Sequence, residues 1–156
     1  MHKPKMFLAT DHAGFELKED VRKYLENAGY DVEDQGAFAY DADDDYPDFI
    51  AAAAKKAAKN PGSKAIIFGG SGQGEAIVAN KVRGIRAAVF YGDNPEIINY
   101  SRTHNDANVL SIGARFTSKE NAVKAVKLWL QTNFSNEARH KRRLKKIENM
   151  EKTLYK

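Results

Sequence analysis

The amino-acid sequence predicts an α/β fold: a doubly wound sandwich in which helices cover both faces of a five-stranded parallel sheet. Two observations carry this. Short apolar runs of strand length alternate with helix-period segments along the whole chain, and those runs are almost continuously apolar, as strands covered on both faces must be. At 156 residues, 42% hydrophobic and 29% charged, the chain holds one sizeable core and one domain, 1–156.

Met6 to Ala9 reads as a buried strand. After it, Leu17, Val21, Tyr24, Leu25 and Ala28 share one helical face until Gly29 stops the helix. Tyr30 to Glu33 is a weaker strand. Pro47 opens an alanine-rich helix to about Lys59, and Asn60-Pro61-Gly62 ends it as a turn. Ala65 to Phe68 is a buried strand, followed by a glycine-rich turn and a helix from about Gly74 to Lys81. Next come a strand over Arg86 to Phe90, a helix from about Pro95 to Thr103, a strand over Asn108 to Ile112, and a helix from about Lys119 to Thr132. Helical crossovers between parallel strands are right-handed, which places helices on both faces. The core therefore ends near residue 135, and a charged helix follows from about Asn136. Its stripe of Leu144, Ile147, Met150 and Leu154 is narrow, as suits a helix laid across a neighbouring subunit rather than set in its own core.

Cysteine is absent, so disulfides, thiolate metal sites and a cysteine nucleophile are excluded, and a cytoplasmic location fits. No apolar stretch approaches the roughly 20 residues of a membrane span, and no secretory signal is read, so no membrane partner is expected. The net charge of +4 is unevenly spread. From Glu137 to Lys156 eight basic residues face three acidic ones, which leaves the body slightly acidic, with a loop of Asp41, Asp43, Asp44 and Asp45. That body would repel a polyanion, and only Tyr155 offers a stacking ring within the basic tail, so no nucleic-acid partner is expected.

Ligands of open α/β sheets bind at the carboxyl ends of the strands. The first strand ends in Thr10-Asp11-His12-Ala13-Gly14, where Asp11 either caps the following helix or faces a ligand. The third ends in Gly69-Gly70-Ser71-Gly72-Gln73-Gly74-Glu75. Glycines ahead of a helix free backbone amides to converge on an anion. The spacing matches neither a Walker loop nor a dinucleotide fingerprint. Glu75 either complements the helix dipole or points into the cradle as a base. We group with these ends His104-Asn105-Asp106-Ala107-Asn108, after the fourth helix, and Gly113-Ala114-Arg115, after the fifth strand. His12, His104, Asp11 and Asp106 lack the spacing of a metal motif, so no metal is expected.

Together these residues resemble a known family. Asp-His-Ala-Gly at 11–14, Asp45-Tyr46-Pro47-Asp48, the glycine loop running into Ala79-Asn80-Lys81, Gly84-Ile85-Arg86-Ala87, His104 to Asn108 with Gly113-Ala114-Arg115, and Arg139-His140 with Arg143 look like the RpiB/LacA/LacB sugar-phosphate isomerases, over nearly the whole chain. The resemblance implies a Rossmann-like fold. It further implies an aldose–ketose isomerase without cofactor, interconverting ribose 5-phosphate and ribulose 5-phosphate, and a homodimer or dimer of dimers whose last helix reaches into the partner's site. Many members use a cysteine base where this chain has Gly69. A second branch carries Gly-Gly-Ser-Gly-x-Gly-Glu and uses the glutamate, which is the form found here.

Moving a proton between adjacent carbons through an enediolate needs a base on one face of the sugar and donors where charge develops. The resemblance makes Glu75 that base, with Ser71 and the amides of Gly70, Gly72 and Gly74 holding the enediolate oxygens. It also implies that Asp11 and His104 open the furanose ring and that Asn105 orients the sugar. His12, Arg115, Arg139 and Arg143 are the phosphate candidates, and Arg139 and Arg143 share one helical face. The alternatives are a six-carbon substrate, allose 6-phosphate or galactose 6-phosphate, and a phosphosugar-binding protein without turnover, which would need the arginines but not the base.

Overall fold

A computed structural model describes residues 2–155. Strands β1 (Met6–Thr10), β2 (Val32–Asp34), β3 (Lys64–Gly69), β4 (Ala87–Phe90) and β5 (Val109–Gly113) form one parallel sheet in the order β2-β1-β3-β5-β4. The helices are α1 (Phe15–Asn27), α2 (Tyr46–Lys59), α3 (Gln73–Ala79), α4 (Pro95–Thr103), α5 (Lys119–Gln131) and α6 (Ala138–Leu154).

Side chains alternate across a strand, and each face of the sheet finds its own helices. Met6, Leu8, Ile66, Phe68, Leu110 and Ile112 meet Leu17, Val21 and Leu25 of α1, Ile98 of α4, and Val126 and Trp129 of α5. Phe7, Ala9, Ala65, Ile67 and Val109 meet Ile50, Ala53, Ala54 and Ala57 of α2, with Ala79 of α3. The alanine run of α2 lets that helix lie close to its face. Phe7 and Trp129 are among the largest fully buried side chains, and truncating either to alanine costs roughly 3–5 kcal/mol.

Two boundaries that differ from the sequence reading do so for a hydrogen-bonding reason. β2 starts at Val32 rather than Tyr30, because the Tyr30 N–H closes the end of α1 on the Leu25 carbonyl around Gly29, which has a φ of 80°. α3 stops at Ala79, and the Asn80 side chain turns to β4, accepting from Ala87 N at 2.8 Å and donating to Ala87 O at 3.1 Å. Single 3₁₀ turns at His12–Gly14 and Ala114–Phe116 follow β1 and β5.

Helix α6 contributes no residue to either core cluster. Its only buried residue is His140, while Ile147, Met150 and Leu154 are exposed. Between α6 and the β4 edge lies an open groove of about 360 Å³, lined in part by Ile85, Ala87, Leu144, Ile147, Met150 and Leu154. Among the described residues no helix is long and apolar enough to cross a membrane.

Candidate active site

From β1 the chain passes to one edge of the sheet, and from β3 to the other, so the crevice beyond the carboxyl ends of these two neighbours is the topological switch point. Asp11, only 6% exposed, stands at the end of β1. Its Oδ1 accepts from Ala13 N at 3.0 Å and so caps the 3₁₀ turn. The cap uses that oxygen and leaves Asp11 beside Glu75, close enough for its charge to act on that carboxylate. Next to it, His12 is locked by Asp44, whose Oδ1 accepts from His12 N at 3.0 Å and pairs with Nδ1 at 2.7 Å. Asp44 raises the His12 pKa above its ordinary value by this hydrogen bond; burial opposes it, the charges of Asp11 and Asp44 add to it, and Arg115 works against it. Asp11, His12 and Asp44 offer one ligand atom each within 4.8 Å, a closeness spent here on the ion pair.

Beyond β3 the glycines decide the geometry. Gly72 has a φ of 77°, a left-handed conformation that turns the strand into α3. Ser111 Oγ, fully buried within β5, donates to the Gly72 carbonyl at 2.7 Å and holds the turn down. Ser71 Oγ accepts from Gln73 N at 3.3 Å. Gly74 and Glu75 lie in the first turn of α3, where N–H groups have no i−4 partner. Glu75 does not face solvent: it is 4% exposed, and a Cβ built on Gly69 would land on its carboxylate. The Glu75 carboxylate therefore fills the space a side chain at 69 would occupy. Burial pushes the Glu75 carboxyl above its ordinary value; its own backbone N–H lowers it, Asp11 raises it and Arg115 lowers it.

Arg115, in the 3₁₀ turn after β5, completes this cluster. Its N–H donates to Gly70 O at 3.0 Å, and its guanidinium lies over Gly70, 3.0 Å from where a Cβ would sit. One fixed cation thus overhangs the glycine loop, with His12 across the crevice.

His104 and Asn105 require a correction. The sequence reading grouped them with the carboxyl strand ends, but α4 returns antiparallel to the strands and delivers them to the amino end of β5. Five residues of β5, about 13 Å of strand, separate them from Arg115 and Glu75. Ser135 N donates to Thr103 O at 3.2 Å, which brings the start of α6, with Arg139 and Arg143, to this same amino edge. The predicted residues thus form two groups within one chain. Asp11, His12, Gly70, Ser71, Gly72, Gly74, Glu75 and Arg115 make up one, and His104, Asn105, Arg139 and Arg143 the other.

Several supporting residues escaped the sequence reading. Arg102, 6% exposed, donates to Asp106 Oδ1 at 2.9 Å, Ala107 O at 2.6 Å and Thr132 O at 3.0 Å. Arg86 Nε donates to the Asn105 carbonyl at 3.1 Å. These two guanidiniums brace the turn that presents His104 and Asn105, in which Asp106 has a φ of 44°. Asn80 and Asn108, both in the family-like motifs, are structural: Asn108 Oδ1 accepts from Arg86 N at 2.8 Å beside the β4 edge. Asp44 had a local signal in its acidic loop, and Asn80, Arg86 and Asn108 lie in the motifs quoted above.

A buried carboxylate at the switch point, under a glycine loop and an arginine, defines an α/β protein equipped to move a proton on an anionic substrate. The chain belongs to the ribose/galactose isomerase family, whose model matches residues 6–147. It is 42% identical over 149 residues to ribose-5-phosphate isomerase B of Mycolicibacterium paratuberculosis, covering 96% of this chain and 92% of that relative. Its structure is similar to the crystal structure of ribose-5-phosphate isomerase B from Mycoplasma genitalium with bound ribulose 5-phosphate, with a TM-score of 0.92, 37% identity, and coverage of 97% of this chain and 99% of that one. The Clostridium thermocellum ribose-5-phosphate isomerase B superposes with a TM-score of 0.90 at 37% identity, covering 96% and 99%.

Proposed function

We propose that this chain is an aldose–ketose isomerase that interconverts ribose 5-phosphate and ribulose 5-phosphate through an enediolate, with Glu75 as the base. The observation that carries this is the placement of the Glu75 carboxylate, buried against Gly69 with Asp11 and Arg115 around it. Glu75 takes the C2 proton of the open aldose. The electron pair moves into a C1–C2 double bond, and negative charge appears on the former carbonyl oxygen. Ser71 and the amides of Gly70, Gly72 and Gly74 hold the enediolate oxygens; the O2 hydroxyl proton passes to O1, and Glu75 returns its proton to C1 as O2 becomes the ketone oxygen. A desolvated carboxylate is a stronger base than a hydrated one, which suits a carbon acid.

Ribose 5-phosphate is a closed furanose, so the ring must open first. Asp11 and His104 divide that task, one accepting the hydroxyl proton and the other donating to the ring oxygen, and Asn105 orients the sugar. Since Glu75 and His104 lie at opposite ends of the sheet in one chain, a complete site takes its second half from a partner. The Glu75 half of one protomer, with His12 and Arg115, meets the partner's His104, Asn105, Arg139 and Arg143. The exposed stripe of α6 supports the same arrangement.

The test is turnover of ribose 5-phosphate by the purified protein, with Glu75→Gln alongside and a chelator in both. Turnover that survives the chelator and collapses in the variant supports the reading. No turnover of ribose 5-phosphate, with turnover of allose 6-phosphate, would move the activity to six-carbon sugars.

A further inference from the structure

Helix α6 buries one side chain of its seventeen residues, and that side chain is a histidine resting on another histidine. The His140 ring is 3% exposed and stacks on His104 with centroids 4.2 Å apart and planes at 18°. Tyr100 covers the other face of His104 at 4.7 Å and 30°. The His104 imidazole is therefore sandwiched, its ring plane set from both sides while its edge stays open. His140 Nε2 is buried and has no hydrogen-bond partner, with Glu137 Oε2 at 3.9 Å. Leaving such a nitrogen unsatisfied is costly. A ring held at that cost against the edge of a predicted site calls for a role.

We propose that His140 is the positioning residue for His104: a buried planar clamp that fixes the ring-opening imidazole relative to the phosphate arginines on either side of it, Arg139 and Arg143. This rests on the isomerase reading above and deepens it. The stack joins the turn after α4 to the first turns of α6, so His104, Arg139 and Arg143 move as one rigid half-site. A clamp that also took up protons would repel a protonated His104. Burial, the adjacent His104 and Arg139 hold the His140 pKa below its ordinary value, Glu137 opposes them and Arg143 assists, so the clamp stays uncharged at neutral pH.

Ring opening and proton abstraction can be measured apart on the full-length protein. Ribose 5-phosphate must open before it reacts, whereas ribulose 5-phosphate has no free hydroxyl with which to form the furanose. Exchange of its C1 proton with deuterated solvent, at saturating ribulose 5-phosphate, therefore reports on proton transfer at Glu75 and its enediolate donors without the ring-opening step. Because misplacement of about 1 Å costs on the order of 100-fold, His140→Ala is expected to slow ribose 5-phosphate turnover by at least ~10-fold while C1 exchange stays within ~2-fold of wild type. His140→Phe, which keeps a planar ring of similar size, is expected to recover most of the lost turnover. The clamp is overturned if His140→Ala isomerises like wild type, if exchange falls as far as isomerisation, or if His140→Phe is no better than His140→Ala. A wild type that neither isomerises nor exchanges would instead sink the isomerase reading, and the clamp with it.

Discussion

The carboxylate of Glu75 stands where a side chain on Gly69 would have to be. Carboxylate and glycine thus depend on each other although they stand six positions apart. Any substituent at 69 must push the carboxylate out of the crevice, and a misdirected base is close to an absent one. General-base catalysis contributes about 100- to 10,000-fold, so Gly69→Ala is expected to lower kcat by roughly two orders of magnitude with the fold intact. Steady-state kinetics beside far-UV circular dichroism check this. A Gly69→Ala enzyme with near wild-type kcat would show that the carboxylate works from elsewhere.

The same burial predicts a trade of stability for function at Glu75. Its folded pKa is raised above the ordinary 4.5, chiefly by desolvation. A raised pKa contributes stability that is fully present below the unfolded value and is lost as pH rises through the folded one. Above its folded pKa the wild type has lost that contribution, and a glutamine, which never ionises, has not. Glu75→Gln should therefore melt higher than wild type at pH 7, with the difference shrinking toward pH 4. The acid limb of wild-type turnover should lie above the usual carboxylate range for the same reason. A Tm difference independent of pH would contradict this.

Asp44 acts on the opposite side of the crevice by favouring the protonated form of His12. The folded pKa of His12 is raised above 6.5, first by the hydrogen bond from its Nδ1 to Asp44. The pair's contribution is complete below 6.5 and fades as pH rises through the folded value. Asp44→Asn should lower the His12 titration midpoint seen by NMR and raise KM for the sugar phosphate several-fold at neutral pH. Its effect on kcat should be smaller, because a phosphate ligand binds substrate and transition state alike. An unchanged midpoint would mean that the pair does not set the charge of His12.

How much of this was legible in the sequence depends on range. The strands and helices were, because apolar runs and 3.6-residue periodicity are local, and so was the cradle, since Gly69 to Glu75 is one continuous segment. The Asp44–His12 lock spans 32 residues and the His104–His140 stack spans 36, and no local pattern announces either. The misplacement of His104 was avoidable in principle. A crossover helix in a parallel sheet must end at the amino edge, so a residue at the end of α4 could never reach the carboxyl crevice of its own chain.

That separation sets up a decisive prediction about assembly. If each site joins Glu75 of one protomer to the partner's His104, then Glu75→Gln and His104→Asn homodimers both lack a working site. A mixed dimer carries the two lesions in one site and leaves the other wild type. Mixing equal amounts, with subunits exchanged by mild denaturation and refolding, makes about half the dimers mixed, so about a quarter of wild-type turnover should return. A site built within one chain could not be restored in this way, since every chain in the mixture carries a lesion. Recovery measured against each variant refolded alone therefore decides whether the two groups of residues meet across the subunit boundary.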